Sequence, residues 1–259
     1  MIGKHIRLNH ILGDRTKKAV IVAIDHGLNK PREGLENMKI ILENVIQGQP
    51  DGILLTPGSI KRYYHFFESK FSPSLIVRVD RLTDIGKPII SIEDAIALGA
   101  TAALQWLLLN EKYEILNLDY IHDFISDADR FGLPLILETH VVDSQTGKEL
   151  ADVESIKSAC RFAAEIGADA VKAPYVGSLD GMKEVVKWCS IPILVLGGAR
   201  MKSEIDMLEV IKNSIEAGCA GCVVGRNVWQ HPYPKKVIEA LKMVVHENKS
   251  IEEVIKFMG

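Results

Sequence analysis

Short apolar runs alternate along this chain with longer segments whose apolar residues recur every three to four positions. Eight runs stand out: Val20–Ile24, Gly52–Thr56, Leu75–Val79, Ala102–Leu108, Leu133–Thr139, Ala168–Lys172, Ile191–Leu196 and Gly221–Val224. Each is nearly continuous in apolar side chains, the pattern of a strand covered on both faces. Between them, Leu35, Met38, Ile41, Leu42 and Val45 share one helical face. So do Val153, Ile156, Ala159, Ala163 and Ile166, and also Leu208, Ile211 and Ile215. Ser91-x-x-Asp94 and Ser203-x-x-Asp206 read as capping boxes that start helices. Gly48, Gly99, Gly167 and Gly218 follow a last apolar turn and read as helix stops.

Strand–helix alternation implies parallel strands joined by right-handed crossovers. Eight such units in 259 residues predict an α/β protein, a (β/α)8 TIM barrel forming one domain over 1–259. Barrels of that kind take about 250 residues. Residues 1–18 precede the first strand and are expected to cover the barrel bottom. An open nucleotide-binding sheet would place a G-x-G-x-x-G turn after strand one. The chain has Asp25-His26-Gly27-Leu28-Asn29 there.

Composition narrows the partners. A net charge of −3 argues against non-specific nucleic-acid binding. No run reaches the ~20 apolar residues that span a bilayer, and the N-terminus lacks an apolar stretch of signal-peptide length. A soluble cytoplasmic protein without membrane or nucleic-acid partners is expected. Cys160, Cys189, Cys219 and Cys222 have no zinc-ribbon spacing. The pair Cys219-Ala-Gly-Cys222 ends a helix and enters a strand, so it reads as reduced core thiols rather than a redox motif.

In a barrel the chemistry sits at the C-terminal ends of the strands. Those positions hold Asp25-His26-Gly27, Glu138-Thr139-His140, Lys172 with Tyr175 just beyond, Gly197-Gly198 and Gly225-Arg226. Lys172 closes an apolar run, where an ammonium is costly unless it is paired or neutral. A desolvated lysine loses basicity and becomes a nucleophile toward carbonyls, the chemistry of a Schiff-base enzyme. The plainer alternative is a strand-end lysine that snorkels to solvent or bridges to a carboxylate. Asp25 is the best candidate for a carboxylate paired with Lys172; its alternative is a helix N-cap. His140 is a candidate general acid or base near neutral pH, or a hydrogen-bonded histidine at a loop start. His26 reads as a donor beside Asp25, and His26 and Tyr175 are candidate substrate-binding groups. Gly197, Gly198, Gly225 and Arg226 suit a phosphate, with bare backbone approach and a planar cation; the alternative is two ordinary turns and a surface arginine. Arg78 interrupts its strand and is expected to point into the mouth or pair with a carboxylate. Trp106 is expected in the core. A metal site built from Asp25, His26, Glu138 and His140 is a rival reading, though no compact ligand motif fixes it.

The segments Ala23-Ile-Asp-His-Gly27, Ala168-Asp-Ala-Val-Lys-Ala-Pro-Tyr175, Ile191-Pro-Ile-Leu-Val-Leu-Gly-Gly198 and Val224-Gly-Arg-Asn-Val-Trp-Gln230 resemble the archaeal-type class I fructose-bisphosphate aldolases. The same set is similar to aminodideoxyheptulosonate synthases and the autoinducer-2 phosphate thiolase, within the deoxyribose-phosphate-aldolase-like barrels. The similarity runs over essentially the whole chain. It implies Lys172 as the Schiff-base lysine, Asp25 as its aspartate, and Gly197, Gly198 and Arg226 as phosphate ligands. It implies a phosphorylated keto-sugar or related ketone as substrate, no metal or other cofactor, and a homo-oligomer of five or ten subunits. Two departures stand out. His140 occupies the place of the family's tyrosine proton donor, and Leu196 that of a serine before the glycines. Thiolase-like or transaldolase-like transfer, or a non-catalytic sugar-phosphate-binding protein, are the alternatives.

Overall fold

The computed structural model describes residues 2–13, 15–81, 85–198, 200–201 and 203–259. The strands in chain order are β1 (Ala19–Ala23), β2 (Gly52–Leu55), β3 (Ser74–Arg78), β4 (Asp80–Arg81), β5 (Lys87–Pro88), β6 (Ala102–Asn110), β7 (Leu135–Val142), β8 (Glu149–Leu150), β9 (Ala170–Ala173), β10 (Ile193–Leu196) and β11 (Gly221–Val224). The helices are α1 (Ile2–Leu12), α2 (Met38–Gln47), α3 (Pro57–Tyr63), α4 (Ile92–Ala97), α5 (Leu118–Phe131), α6 (Val153–Glu165), α7 (Leu179–Trp188), α8 (Glu204–Glu216), α9 (Arg226–Trp229), α10 (Pro234–Val245) and α11 (Ile251–Met258).

Eight strands pair in parallel in the order β6-β3-β2-β1-β11-β10-β9-β7, and β7 returns to β6 to close the ring. The expected (β/α)8 barrel is therefore the fold, and all eight sequence-derived strands lie in its wall. The largest extensions beyond the expected bounds fall on β6 and β7. Their ladder continues to Asn110↔Val142, past the expected ends at Leu108 and Thr139. The extra length carries β8, which pairs antiparallel with the tip of β7 through Val142↔Glu149. A hairpin thus stands on the rim of the mouth.

Alternation along each strand splits the apolar residues into two layers. Ala19, Ile21 and Ala23 point into the barrel with Leu54, Ile76, Leu104, Ile136, Ala170, Leu194 and Val223. Val20, Val22 and Ile24 point out, against helices that contribute Leu42, Ile156, Ile211 and Leu241. Ile11 and Leu12 of α1 join the inner layer. Lys4 of α1 is tied by Asp169 at 2.7 Å, whose Oδ2 also accepts from the Leu135 N–H.

Helix ends follow most of the sequence signals, though at Ser203 only the serine half of the expected capping box forms. Ser91 and Asp94 form a reciprocal capping box, and the Ser203 hydroxyl accepts from the Asp206 N–H. Gly99, Gly167 and Gly218 take left-handed φ values of +82°, +104° and +104°. Gly48 does not: its φ is −76° and the left-handed residue is Gln49. Gly48 is required by packing instead, since a Cβ there would lie 2.8 Å from the Ile238 side chain. Cys160, Cys219 and Cys222 are buried free thiols. Burial pushes the Cys219 thiol up to about 12, so it stays protonated and inert at neutral pH. No helix of the described residues is long and apolar enough to cross a membrane.

Candidate active site

Two residues beyond the inner apolar layer, the inward positions change character. Ala23 is followed by Asp25, Ile76 by Arg78, Leu104 by Trp106, Ile136 by Glu138 and Ala170 by Lys172. The strand register fixes neighbours: Trp106 lies beside Glu138, and Glu138 beside Lys172. These five residues form the floor of a cavity of about 440 Å3 at the C-terminal mouth. Its walls include His26, Arg32, His140, Glu149, Leu196, Gly197, Gly198, Gly225 and Arg226.

The floor is one ionic network. Lys172 Nζ lies 2.5 Å from Glu138 Oε1. The other Glu138 oxygen accepts from Arg78 Nη2. Arg78 donates through Nε to Asp25 at 2.9 Å and through Nη1 to Asp80 at 3.3 Å. The second Asp80 oxygen accepts from the Trp106 N–H at 2.7 Å. The Asp25, Arg78, Asp80, Glu138 and Lys172 side chains are all buried. Burial alone disfavours their charged forms, so pairing decides. Burial raises the Asp80 carboxyl to about 6 even against Arg78 and the Trp106 N–H. Burial also pushes Glu138 up, but Lys172 and Arg78 outweigh it and hold Glu138 well below the carboxylate range. Burial works against the Arg78 charge and the three carboxylates overcome it, leaving a permanent cation.

Asp25 is not the carboxylate paired with Lys172. Strands β1 and β9 are not neighbours in the ring, and Asp25 turns to Arg78 instead. It caps no helix either, for it makes no side-chain bond to the short turn His26–Leu28. The neighbour strand's inward residue, Glu138, takes the place beside the amine. Lys172 is accordingly a paired lysine, not a lone desolvated one.

His140, two residues past Glu138 on the same face, leans over this floor. Its ring stacks on Trp106 at 3.9 Å with 17° between the planes. Trp106 is half-buried and lines the cavity, so it belongs to the mouth rather than to the core. His140 Nδ1 is 2.7 Å from Glu149 Oε1 on the rim hairpin. Nε2 lies 3.5 Å from Glu138 Oε1, too long for a good hydrogen bond, and makes no other. Burial lowers the His140 pKa, and the nearby Glu138 charge with the hydrogen bond to Glu149 outweighs burial to raise it above 6.5. The imidazolium is stabilised, and its Nε2 is left without a hydrogen-bond partner.

On the opposite wall, the glycine turns stand where the sequence placed them. A Cβ on Gly225 would lie 2.6 Å from the His26 ring, and one on Gly197 3.1 Å from the Val224 Cα. Gly198 has φ +62°. Arg226 donates through Nη2 to the Gly198 carbonyl at 2.9 Å, joining the two turns. His26 meets Trp229 edge-on at 5.6 Å, and burial pushes its pKa down. Tyr175 does not reach the mouth. Alternation turns Lys172 and Pro174 inward and Tyr175 outward, where its hydroxyl accepts from Asn213 of α8 at 3.3 Å. Among the described residues, no three His, Cys, Asp or Glu side chains are arranged to hold a metal ion.

The sequence reading placed Arg78 at the mouth or on a carboxylate, and it does both, but missed it as the hub and Glu138 as the amine's neighbour; Trp106 and Glu149 around His140 escaped it as site residues. Counting inward positions by twos along β3, β6 and β7 would have found all but Glu149. No local signal marks Glu149, which arrives through a hairpin.

The sequence matches the model of the DeoC/LacD family aldolases over residues 19–231. An uncharacterised aldolase of Saccharolobus solfataricus is 32% identical, with both chains covered end to end. A 2-amino-3,7-dideoxy-D-threo-hept-6-ulosonate synthase of Archaeoglobus fulgidus is 31% identical over all of this chain and 97% of its own length. Among solved structures, a Schiff-base-forming fructose-1,6-bisphosphate aldolase superposes with a TM-score of 0.81 at 29% identity, over 93% of this chain and 99% of the other. The resemblance carried by the four motifs thus holds over the whole fold, and the chain belongs to the DeoC/LacD family of aldolases, enzymes that break or form carbon–carbon bonds.

Proposed function

We propose that this aldolase works through an imine on Lys172, with a phosphorylated ketose or related ketone as substrate. The observation that carries it is a buried lysine amine at the centre of the mouth, 2.5 Å from a carboxylate able to take its proton. In an uphill step, because Lys172 and Arg78 hold Glu138 low, Lys172 hands a proton transiently to Glu138, and the free amine so formed adds to the substrate carbonyl. The same proton returns to the carbinolamine hydroxyl, which leaves as water and gives the iminium. The iminium accepts the electron pair of the adjacent carbon–carbon bond as that bond breaks, leaving an enamine. The iminium is itself the electron sink, so the step calls for no metal or other cofactor. Asp25 does not touch the amine; it holds Arg78, and Arg78 holds Glu138.

His140 serves the aldol oxygen. In bond formation the imidazolium gives its Nε2 proton to the aldehyde oxygen; in cleavage the neutral ring takes that proton back. Glu149 holds Nδ1 and fixes which nitrogen faces the substrate. His140→Phe should therefore lower kcat far more than it changes KM. In the bond-forming direction the acid is the cation, so activity falls as pH rises through the raised His140 pKa. Glu149→Gln removes a charge that supports the cation, and this falling limb should move to lower pH. A kcat–pH profile identical to that of the parent would remove Glu149 from the mechanism.

Borohydride trapping tests the imine directly. Reduction in the presence of dihydroxyacetone phosphate should add a stable adduct to the Lys172 peptide, read by mass spectrometry. Turnover of any phosphorylated ketose without trapping at Lys172 would overturn the proposal. A histidine in the tyrosine's place and Leu196 in the serine's favour a relative that transfers the enamine or an acyl fragment to a second acceptor. Trapping would occur there too, and the products would differ.

A further inference from the structure

We propose that Arg32 and Arg226 together grip a phosphate dianion, from two chain segments on the same side of the mouth. The inference rests on reading the glycine turns as an anion site and adds a residue that neither the motifs nor the relatives' names point to.

Both guanidiniums line the cavity. The Nε of each is buried without a hydrogen-bond partner. Among the described residues neither is paired with a carboxylate, although acids crowd the floor of the same mouth. Asp25, Asp80 and Glu138 are all engaged by Arg78 or Lys172. The mouth is thus polar in one direction, with a neutralised floor and a rim bearing unanswered positive charge.

Two contacts hold Arg32 in place although it lies in an irregular loop. Gln230, just past the Arg226 helix α9, donates to the Glu33 carbonyl at 2.8 Å. Gly34, with φ +89°, lets the loop close on Trp229, whose ring carbons would lie 3.2 Å from a Cβ there. Trp229 in turn donates to the Ala23 carbonyl at 3.0 Å. The loop after β1 and the helix after β11 are therefore clamped as one unit with an arginine on each side. Burial, and then the charge of Arg32, depress the Arg226 pKa. Two like charges held together in a half-buried cleft repel, and the repulsion becomes attraction once a dianion lies between them. A phosphate monoester carries about −1.5 to −2 charge at neutral pH and matches the guanidinium fork; a carboxylate carries only −1. The pair should favour phosphate esters over the corresponding acids or neutral sugars.

The test is thermal unfolding of the full chain in inorganic phosphate, against sodium chloride at matched ionic strength. The parent Tm should rise with phosphate. Arg32→Met should need about tenfold more phosphate for the same rise, the loss expected for one charge-assisted contact. Lys30→Met, an exposed cation two residues away, should titrate like the parent. Arg32→Lys keeps the charge but loses the fork, should fall between, and carries the test alone if Arg32→Met does not fold. A parent Tm insensitive to phosphate, or an Arg32→Met chain that titrates like the parent, would overturn the clamp. Failure of borohydride trapping with an intact phosphate titration would leave the clamp standing and refute only the imine.

Discussion

Lys172→Met should lose turnover by at least about 10^4-fold, the scale on which removing a covalent nucleophile acts. The fold should survive. Glu138 would keep Arg78 as a partner, and Met fills most of the lysine's volume. Replacing one member of a buried pair is severe when it strands the other charge, and mild when a second counter-charge remains. The Tm should therefore stay within a few degrees of the parent's. The informative comparison is kcat with Tm on the same sample. A variant that keeps near-full turnover refutes the imine. One that loses turnover because it has unfolded shows that Lys172 is structural, the alternative a buried strand lysine always carries.

The barrel was legible because its signal is periodic and repeated. Each apolar run is short, and alternation with helical segments excludes most other topologies. Strand ends drifted where tertiary context decides. The extension of β7 to Val142 depends on pairing with β6 and β8, which no window of β7 alone contains. The site was legible as a set of positions and less so as a set of contacts. Lys172, His140, the glycines and Arg226 all line the mouth. The error at Asp25 came from pairing charges by their place in the list of strand ends rather than by adjacency around the ring. Glu138 is the inward residue of the strand beside Lys172, and register alone pairs them. Tyr175 failed for the same kind of reason, since one residue of alternation separates the cavity face from the helix face. Glu149 comes from the rim hairpin and Arg32 from a loop, and the path of each over the mouth is set by contacts distant in sequence.

The second large effect is on stability. Among the described residues, Arg78→Met removes the only side-chain cation that answers Asp80, and one of two cations on Glu138. Asp25 would be left with His26 at 3.5 Å, whose protonation burial resists. Stranding buried carboxylates in this way costs about 3–5 kcal/mol. For a chain of this size that lowers Tm by about 10 °C. The deficit should depend on pH, with a definite sign. Asp80 already has a folded pKa of about 6, above its unfolded value. A carboxyl raised on folding binds more protons in the folded state, so its unfavourable contribution grows as pH climbs from about 4 to 6. Without Arg78 the upward shift is larger and the window extends higher. The variant should fall furthest below the parent near pH 8 and recover toward it near pH 5, where its carboxyls can protonate. Glu138 acts in the opposite sense in the parent: held low by Lys172 and Arg78, it contributes stability that is lost on acidification below its unfolded range. Melting curves of both chains from pH 5 to 8 decide it. An equal Tm deficit at every pH would mean that Arg78 stabilises by packing against Trp106, 5.9 Å from its guanidinium, rather than by neutralising the floor.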